Sequence, residues 1–434
     1  MSKLSTTEAG AKDARDLLLG LFGAAVASAD PLACVPPHIP FPGGAGRIVV
    51  VGAGKASAAM ALAVEREALK QGWLYRLEGL VVTRYDHGAD CERIEIIEAA
   101  HPVPDAAGAD AARRIQALAR DLRSDDLLLC LISGGGSALL AAPADGISAE
   151  EKASVTRALL RSGVPIGEMN CVRKHISAIK GGLLARSAAP ARVLSLMISD
   201  VPGDDPSVIA SGPTVPDPTT RQEALEILTR YAIDIPASVV ALLNSDAGET
   251  PKPDDRLFTN VENVIVSRPS EMLAAVATAA RDAGCTVVSL GADLEGEARE
   301  LGAQHAALAL RLQKERAGEL PLVILSGGET TVTVTGEGRG GRNAEYALGL
   351  AQGLAGAADI YAIACDTDGI DGVEDNAGVL VTPDTIDRAQ AAGLDVSEVL
   401  ARNDAYSLFA AIDDLVVTGP TRTNVNDFRA ILIC

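Results

Sequence analysis

Aromatic residues are scarce: Phe, Trp and Tyr make up 3% of 434 residues, with a single Trp. Base stacking on aromatic platforms is therefore poorly provided for. Basic charge is short too, with 38 Lys and Arg against 58 Asp and Glu and a formal net charge of -20. A nucleic-acid or anionic-membrane partner wants a basic face, so both are argued against. A small anionic substrate is not, because a few cations in a cleft outweigh a distant acidic surface. The seven cysteines include no CxxC pair, which leaves disulfide and zinc frameworks without support. No basic segment followed by an apolar stretch and a cleavage site is present, and no apolar run has the length of a membrane span. These absences together lead to the expectation of a cytoplasmic protein.

What the chain does have is aliphatic: 48% of it is hydrophobic, almost all Ala, Val, Leu and Ile, together with 42 glycines. The length predicts two domains. Strands are predicted at Arg47–Val51, Glu78–Thr83, Arg93–Glu98, Asp126–Ile132 and Val193–Ile198. Helical spacing falls at Ala11–Ala29, Asp105–Leu122 and Ala149–Ser162. This βαβ rhythm predicts a mostly parallel, Rossmann-like sheet with helices on both faces. The Pro- and charge-rich stretch at 247–256 places a boundary there, giving domains 1–255 and 256–434. The second is a smaller α/β unit. Its strands are predicted at Val264–Ser267, Thr286–Leu290, Leu322–Leu325, Thr330–Thr335, Ile360–Ala364 and Leu415–Thr418, with Glu329–Thr335 in a hairpin.

Several of these apolar runs stop abruptly in glycine, serine and acidic residues, as strands do where open α/β sheets bind ligands. Lys55, in Gly52-Ala-Gly-Lys-Ala-Ser, sits at a predicted helix start where backbone N–H groups and an ammonium meet an anion. The string is not a Walker A loop. In Ser133, Gly134, Gly135, Gly136 and Ser137, three glycines let the backbone approach a phosphate or carboxylate closely. A basic segment supplies Arg173, Lys174, His175 and Lys180, of which Arg173 and Lys174 suit a carboxylate clamp. Clustered carboxylates at Asp200, Asp204 and Asp205, and at Asp366, Asp368 and Asp371, suit Mg²⁺ beside phosphates. Asp204, Asp366 and Asp368 are its expected ligands. Ser326, Gly327, Gly328 and Glu329 form a second candidate nucleotide loop, and Arg342, in a glycine-rich segment, needs an anion or solvent. Phosphoryl transfer uses all of these parts: cations to offset phosphate charge, a metal, and an aspartate to align the acceptor hydroxyl.

Taken in order, VVGAGKAS (50–57), AAHPVPD (99–105), SGGGSALL (133–140), VRKHISAIKGG (172–182), SDVPGDDPSVIASGPT (199–214), SGGET (326–330), GRGGRNAEYAL (338–348), DTDGIDG (366–372) and GPTRTNVNDFRAILI (419–433) resemble the class II glycerate kinases, whose C-terminal part is the MOFRL domain. The resemblance implies ATP-dependent phosphorylation of D-glycerate at its 2-hydroxyl, giving 2-phosphoglycerate, in a cleft between two α/β domains. Mg²⁺ is the implied metal and a homodimer a compatible assembly. Lys55 and Arg342 match the family's catalytic lysine and arginine. Asp200 is the best match for its catalytic aspartate, with Asp204 as the alternative. Two other readings stand beside this one. A nicotinamide-dependent hydroxypyruvate reductase conflicts with Ser57 at the third glycine position of GxGxxG. A non-catalytic nucleotide or sugar-acid sensor leaves the paired carboxylate and basic clusters unexplained.

Overall fold

A computed structural model of the chain describes residues 8–40 and 46–434. The backbone divides into two compact units, one of residues 31–266 and one of residues 1–30 with 267–434.

The first unit is built on a six-stranded sheet in the order β3-β2-β1-β4-β5-β6. Its strands are β1 (Ile48–Ala53), β2 (Leu77–Arg84), β3 (Ile94–Ala99), β4 (Leu127–Ile132), β5 (Arg192–Ile198) and β6 (Val261–Ser267). Pairings from β3 through β5 are all parallel. Helices cover both faces of a parallel sheet, so its central strands read as unbroken apolar runs. Every residue of β1 is buried, and in β4 only Leu127 is partly exposed. The chain leaves β1 on one side for β2 and returns on the other as β4. That reversal opens a crevice at the strands' carboxyl ends, where the loops after β1 and β4 lie side by side.

The second unit holds a mixed sheet, β11-β10-β9-β12-β8-β7, of β7 (Thr286–Ser289), β8 (Leu322–Gly328), β9 (Ile360–Asp366), β10 (Gly378–Val381), β11 (Leu415–Val416) and β12 (Asp427–Ile433). Only β7 and β8 pair in parallel; β12 runs antiparallel between β8 and β9. Sequence patterning missed β10 and β12. The 18-residue helix Ala298–Glu315 lies against Arg342–Leu354, with Ala306, Ala309, Ala347 and Ala351 among their buried residues.

Three expectations are corrected. The Val261–Ser267 strand, expected to open the second unit, belongs to the first sheet. The opening helix, Glu8–Ser28, expected in the first domain, packs with the second unit: Arg15 Nη1 reaches Asp414 at 2.6 Å, and Phe22 stacks on Phe428. Thr330–Thr335 forms no hairpin, because side chains satisfy its backbone. The Glu297 carboxylate accepts from Thr333 N, and Asn403 Oδ1 accepts from Thr335 N and Gly336 N. One bridge, Glu297 to Thr331, is all that resembles pairing there. All seven cysteines are free. Among the described residues no single helix is long and apolar enough to cross a membrane.

Candidate functional site

In the first unit, three strand-end loops converge. Gly54 follows β1 with φ +140°, and a side chain there would enter the Ser133 backbone and hydroxyl. That contact locks two loops together: Lys55 N donates to Gly134 O at 2.9 Å, and Ser133 N donates to Ala53 O at 3.1 Å. Fully buried Ser133 accepts from Ala56 N at 3.0 Å. Its hydroxyl therefore fixes the lysine loop from inside. Gly135 (φ +79°) leaves room for a neighbour, since a Cβ there would stand 2.9 Å from His101 Nε2 and 3.5 Å from Lys55 Cγ. Among the described residues the N–H groups of Gly134 and Gly135 meet no hydrogen-bond acceptor, which leaves them as donors for an anion.

Gly136 closes the turn, and Ser137 anchors a basic cluster. Its hydroxyl lies 2.8 Å from Ser211 Oγ and accepts from Arg173 Nη2 at 2.6 Å and Lys180 Nζ at 2.8 Å. Lys180 also donates to Ser137 O at 2.7 Å, and nearby Lys152 Nζ donates to Ala142 O at 2.7 Å. Burial, then the neighbouring Arg173 charge, lowers the Lys152 ammonium to about 7. Burial, Arg173 and Lys152 push Lys180 well below its ordinary range. Arg173 and Lys174, the two alternatives for a carboxylate clamp, part company. Lys174 Nζ turns to buried Asp217 Oδ1 at 3.4 Å, in a network with Thr219 and Thr250.

The turn after β5 carries Asp200, half-buried, and Asp204. Asp205 is tied to its own turn by Ser207 N at 2.8 Å. Asp204 adopts φ +54°, unusual for a residue with a side chain, and its buried Oδ1 has no hydrogen-bond partner among the described residues. A strained residue with an unmatched carboxylate oxygen is the profile of a group that serves a ligand.

The second unit centres on Arg342, first residue of the helix Arg342–Leu354. Its Nε donates to both oxygens of Asp427 at 2.9 Å, Nη2 donates to Asp366 Oδ2 at 2.8 Å, and Nη1 lies 3.8 Å from Glu329 Oε1. Burial would lower its pKa, but Asp427, Asp366 and Glu329 hold it well above the ordinary value. Asp371 supplies the helix cap, accepting from Asn343 N and Ala344 N at 2.9 Å each. Its burial raises the Asp371 carboxyl to about 6 against those donors. Asp366 Oδ1 accepts from Asp368 N at 3.0 Å, and Asp368 Oδ1 from Ile370 N at 2.8 Å. Ser326, Gly327 and Gly328, expected in a nucleotide loop, lie within β8 and pair with Arg429, Phe428 and Asp427 of β12. Only Glu329 stands beyond the ladder, exposed. A cavity of about 270 Å³ is lined by Thr330, Gly340, Gly341, Arg342 and Glu345 among others.

The chain matches two family models, one described as a domain of unknown function (DUF4147) over residues 17–244 and the MOFRL family over residues 322–427. A D-glycerate 2-kinase of Thermotoga maritima is 39% identical over 389 residues, covering 89% of this chain and 91% of its own. A solved glycerate kinase from that organism superposes with a TM-score of 0.86 at 36% identity, covering 98% of this chain and all of its own. The chain belongs to the MOFRL glycerate kinase family. Within that family, an Agrobacterium vitis protein provisionally named a hydroxypyruvate reductase is 54% identical over 97% of this chain and 94% of its own.

Among the described residues no group of three or more His, Cys, Asp or Glu is arranged to hold a metal ion. The donor chemistry still fits Mg²⁺ in this family member. That ion needs few protein carboxylates when phosphate and water complete its shell, and Asp204 offers an unmatched oxygen. Sequence reading missed Lys152, which resembles a solvated helix lysine, and Asp427 and Arg429, which sit in an unrecognised strand. Arg429 is 1% exposed, donates to Asp427 Oδ2 at 2.5 Å, and holds Gly327 O and Thr330 Oγ1 at 3.3 Å each.

Proposed function

We propose that this chain transfers the terminal phosphoryl group of ATP to the 2-hydroxyl of D-glycerate, giving 2-phosphoglycerate and ADP. The observation that carries this reading is the seat of Lys55. It stands between two interlocked glycine loops at the sheet's crevice, beside two unclaimed backbone donors. Such a site is preorganised for phosphate oxygens, with loops that need no rearrangement to present their donors. Lys55 offsets charge on the transferred group, and Arg342 is assigned the same task. Asp200, or Asp204 with its unmatched oxygen, orients the hydroxyl and receives its proton. Asp204, Asp366 and Asp368 are the candidates to hold Mg²⁺, which when bound neutralises phosphate charge. The glycerate kinase names of relatives that span nearly the whole chain support the same assignment.

The reductase reading is favoured by the names of two relatives but opposed by the β1 loop. Gly52 is pressed on Leu131 and Gly54 on Ser133, so these glycines serve protein packing and not close approach to a dinucleotide. The test is ADP release from purified protein with ATP, Mg²⁺ and D-glycerate, with the phosphorylated isomer identified directly. ADP matched by 2-phosphoglycerate is expected. The 3-phospho isomer would overturn the substrate pose. Nicotinamide oxidation with hydroxypyruvate and no acceptor-dependent ADP would overturn the kinase.

A further inference from the structure

Three of the buried or half-buried cations are paired with acids: Lys174 with Asp217, and Arg342 and Arg429 with Asp427. Lys152, Arg173 and Lys180 differ from these. Three separate segments bring them to one place, Lys152 9% and Lys180 2% exposed, and their partners are carbonyls, an amide and the Ser137 hydroxyl. Among the described residues no carboxylate stands within ion-pair reach of any of the three. Holding uncompensated charge in a dry setting is costly, and such an arrangement is relieved when an anion arrives.

We infer that Ser137, Arg173 and Lys180, backed by Lys152, form the receptor for the carboxylate of the hydroxy-acid acceptor. The identity of that acceptor rests on the kinase reading above. A carboxylate fits better than a nucleotide phosphate. Arg173 is the half-buried, reachable member, and a single planar guanidinium beside hydroxyls matches a planar two-oxygen anion. The phosphate donors lie elsewhere, at Lys55, Gly134 and Gly135. Placing the carboxylate at Ser137 would set the adjoining 2-hydroxyl near the same glycine turn.

A second consequence follows from the charges that face each lysine. Lys152 faces Arg173 and Lys180, and Lys180 faces Arg173 and Lys152. The other basic groups on the Arg173 helix, Lys174 and His175, are turned to Asp217 and Glu249. In the ligand-free protein burial and like charge favour the neutral amines; a bound carboxylate reverses that preference. The acceptor therefore binds together with a proton, and its affinity falls as pH rises above about 7, the value near which Lys152 titrates.

The experiment is calorimetry of the full chain with D-glycerate and no nucleotide, at about pH 8 in two buffers of different ionisation enthalpy, so that proton uptake is read directly. Steady-state kinetics of Arg173→Lys and Lys180→Met accompany it. Uptake approaching one proton per glycerate is expected. KM for D-glycerate should rise about tenfold or more in both variants, as for a lost charge-assisted hydrogen bond, while KM for ATP stays put. Glycerate binding without proton uptake overturns the assignment, as does a rise in KM for ATP with that for glycerate unchanged; both leave the kinase standing. If the wild-type protein releases no ADP with D-glycerate, the kinase reading fails instead. Calorimetry then decides the receptor alone: glycerate binding lost in Arg173→Lys supports it, and binding of inorganic phosphate but not glycerate overturns it. Proton uptake is measured on the wild-type chain, so the test survives a variant that fails to fold.

Discussion

The two units solve the same electrostatic problem in opposite ways. In the first, three cations gather around Ser137 with only neutral partners. In the second, Arg342 is enclosed by Asp427, Asp366 and Glu329, and Asp427 also serves Arg429. The first cluster lacks an anion and is completed by one. The second already exceeds neutrality in acids, so its arginine is fixed in place before any ligand arrives. One unit is arranged to receive, the other to hold a group in position. This difference teaches that buried charge alone does not mark a binding site; what matters is whether the protein has already answered it.

Removing a cation from each side should break the symmetry most visibly in turnover. Lys55→Ala is expected to lower kcat about a hundredfold or more, the usual loss of a preorganised charge at a transferring group, with folding unchanged by circular dichroism. Arg342→Ala should lower kcat comparably and also cost about 3–5 kcal/mol in urea unfolding, because it removes the arginine that buried Asp427 and Asp366 share. An Arg342→Ala protein as stable as wild type would show that the acid-rich cluster is not held by its arginine.

The readability of this architecture followed the distance over which information travels along the chain. Strands such as Ile48–Ala53 and Leu127–Ile132 are written in their own residues, because parallel strands buried on both faces are apolar throughout. The glycine loops beside Lys55 and Ser137 were legible for the same reason. What pairs with what was not. Asp427 reaches Arg342 across 85 positions, Arg15 reaches Asp414 across 399, and Glu297 claims the Thr333 backbone across 36. Lys152 gave no signal at all, since a lysine on an amphipathic helix faces solvent unless tertiary packing turns it inward. Lys174 misled in the other direction: it belongs to the basic string, but its partner, Asp217, lies 43 residues on.

Lys174 and Lys180 offer the sharper version of the comparison, six residues apart and both buried. Lys174→Met should destabilise the protein by about 3 kcal/mol, since it strands Asp217, and should leave KM for D-glycerate unchanged. Lys180→Met removes a buried amine that has no acid to strand. It should leave unfolding free energy within about 1 kcal/mol of wild type, the lost hydrogen bonds to Ser137 offset by relief of desolvation. Denaturant titration of both variants reads the contrast in one assay. Equal destabilisation would mean that Lys180 is answered by a carboxylate after all.

The smallest effect concerns pH, and its sign separates the two clusters again. Lys152 titrates near 7 in the folded, ligand-free chain against an ordinary value of 10.5. Between those values the unfolded chain binds a proton that the folded chain does not, so stability increases with pH across that window. Below about 7 both states are charged, and the stabilisation is absent. The slope cannot exceed about 1.4 kcal/mol per pH unit for one group. Asp371 runs the other way: its carboxyl, raised from 3.8 to about 6 mainly by burial, favours the folded state in acid and loses that contribution as pH climbs through 6. Thermal unfolding of wild type and Lys152→Met from about pH 6 to pH 9 isolates the lysine, because Asp371 is common to both. The difference between the curves should grow in favour of wild type above pH 7, and saturating D-glycerate should flatten it by restoring the proton. A wild-type curve parallel to that of the variant would place Lys152 outside the titrating cluster and leave Lys180 to carry the proton alone.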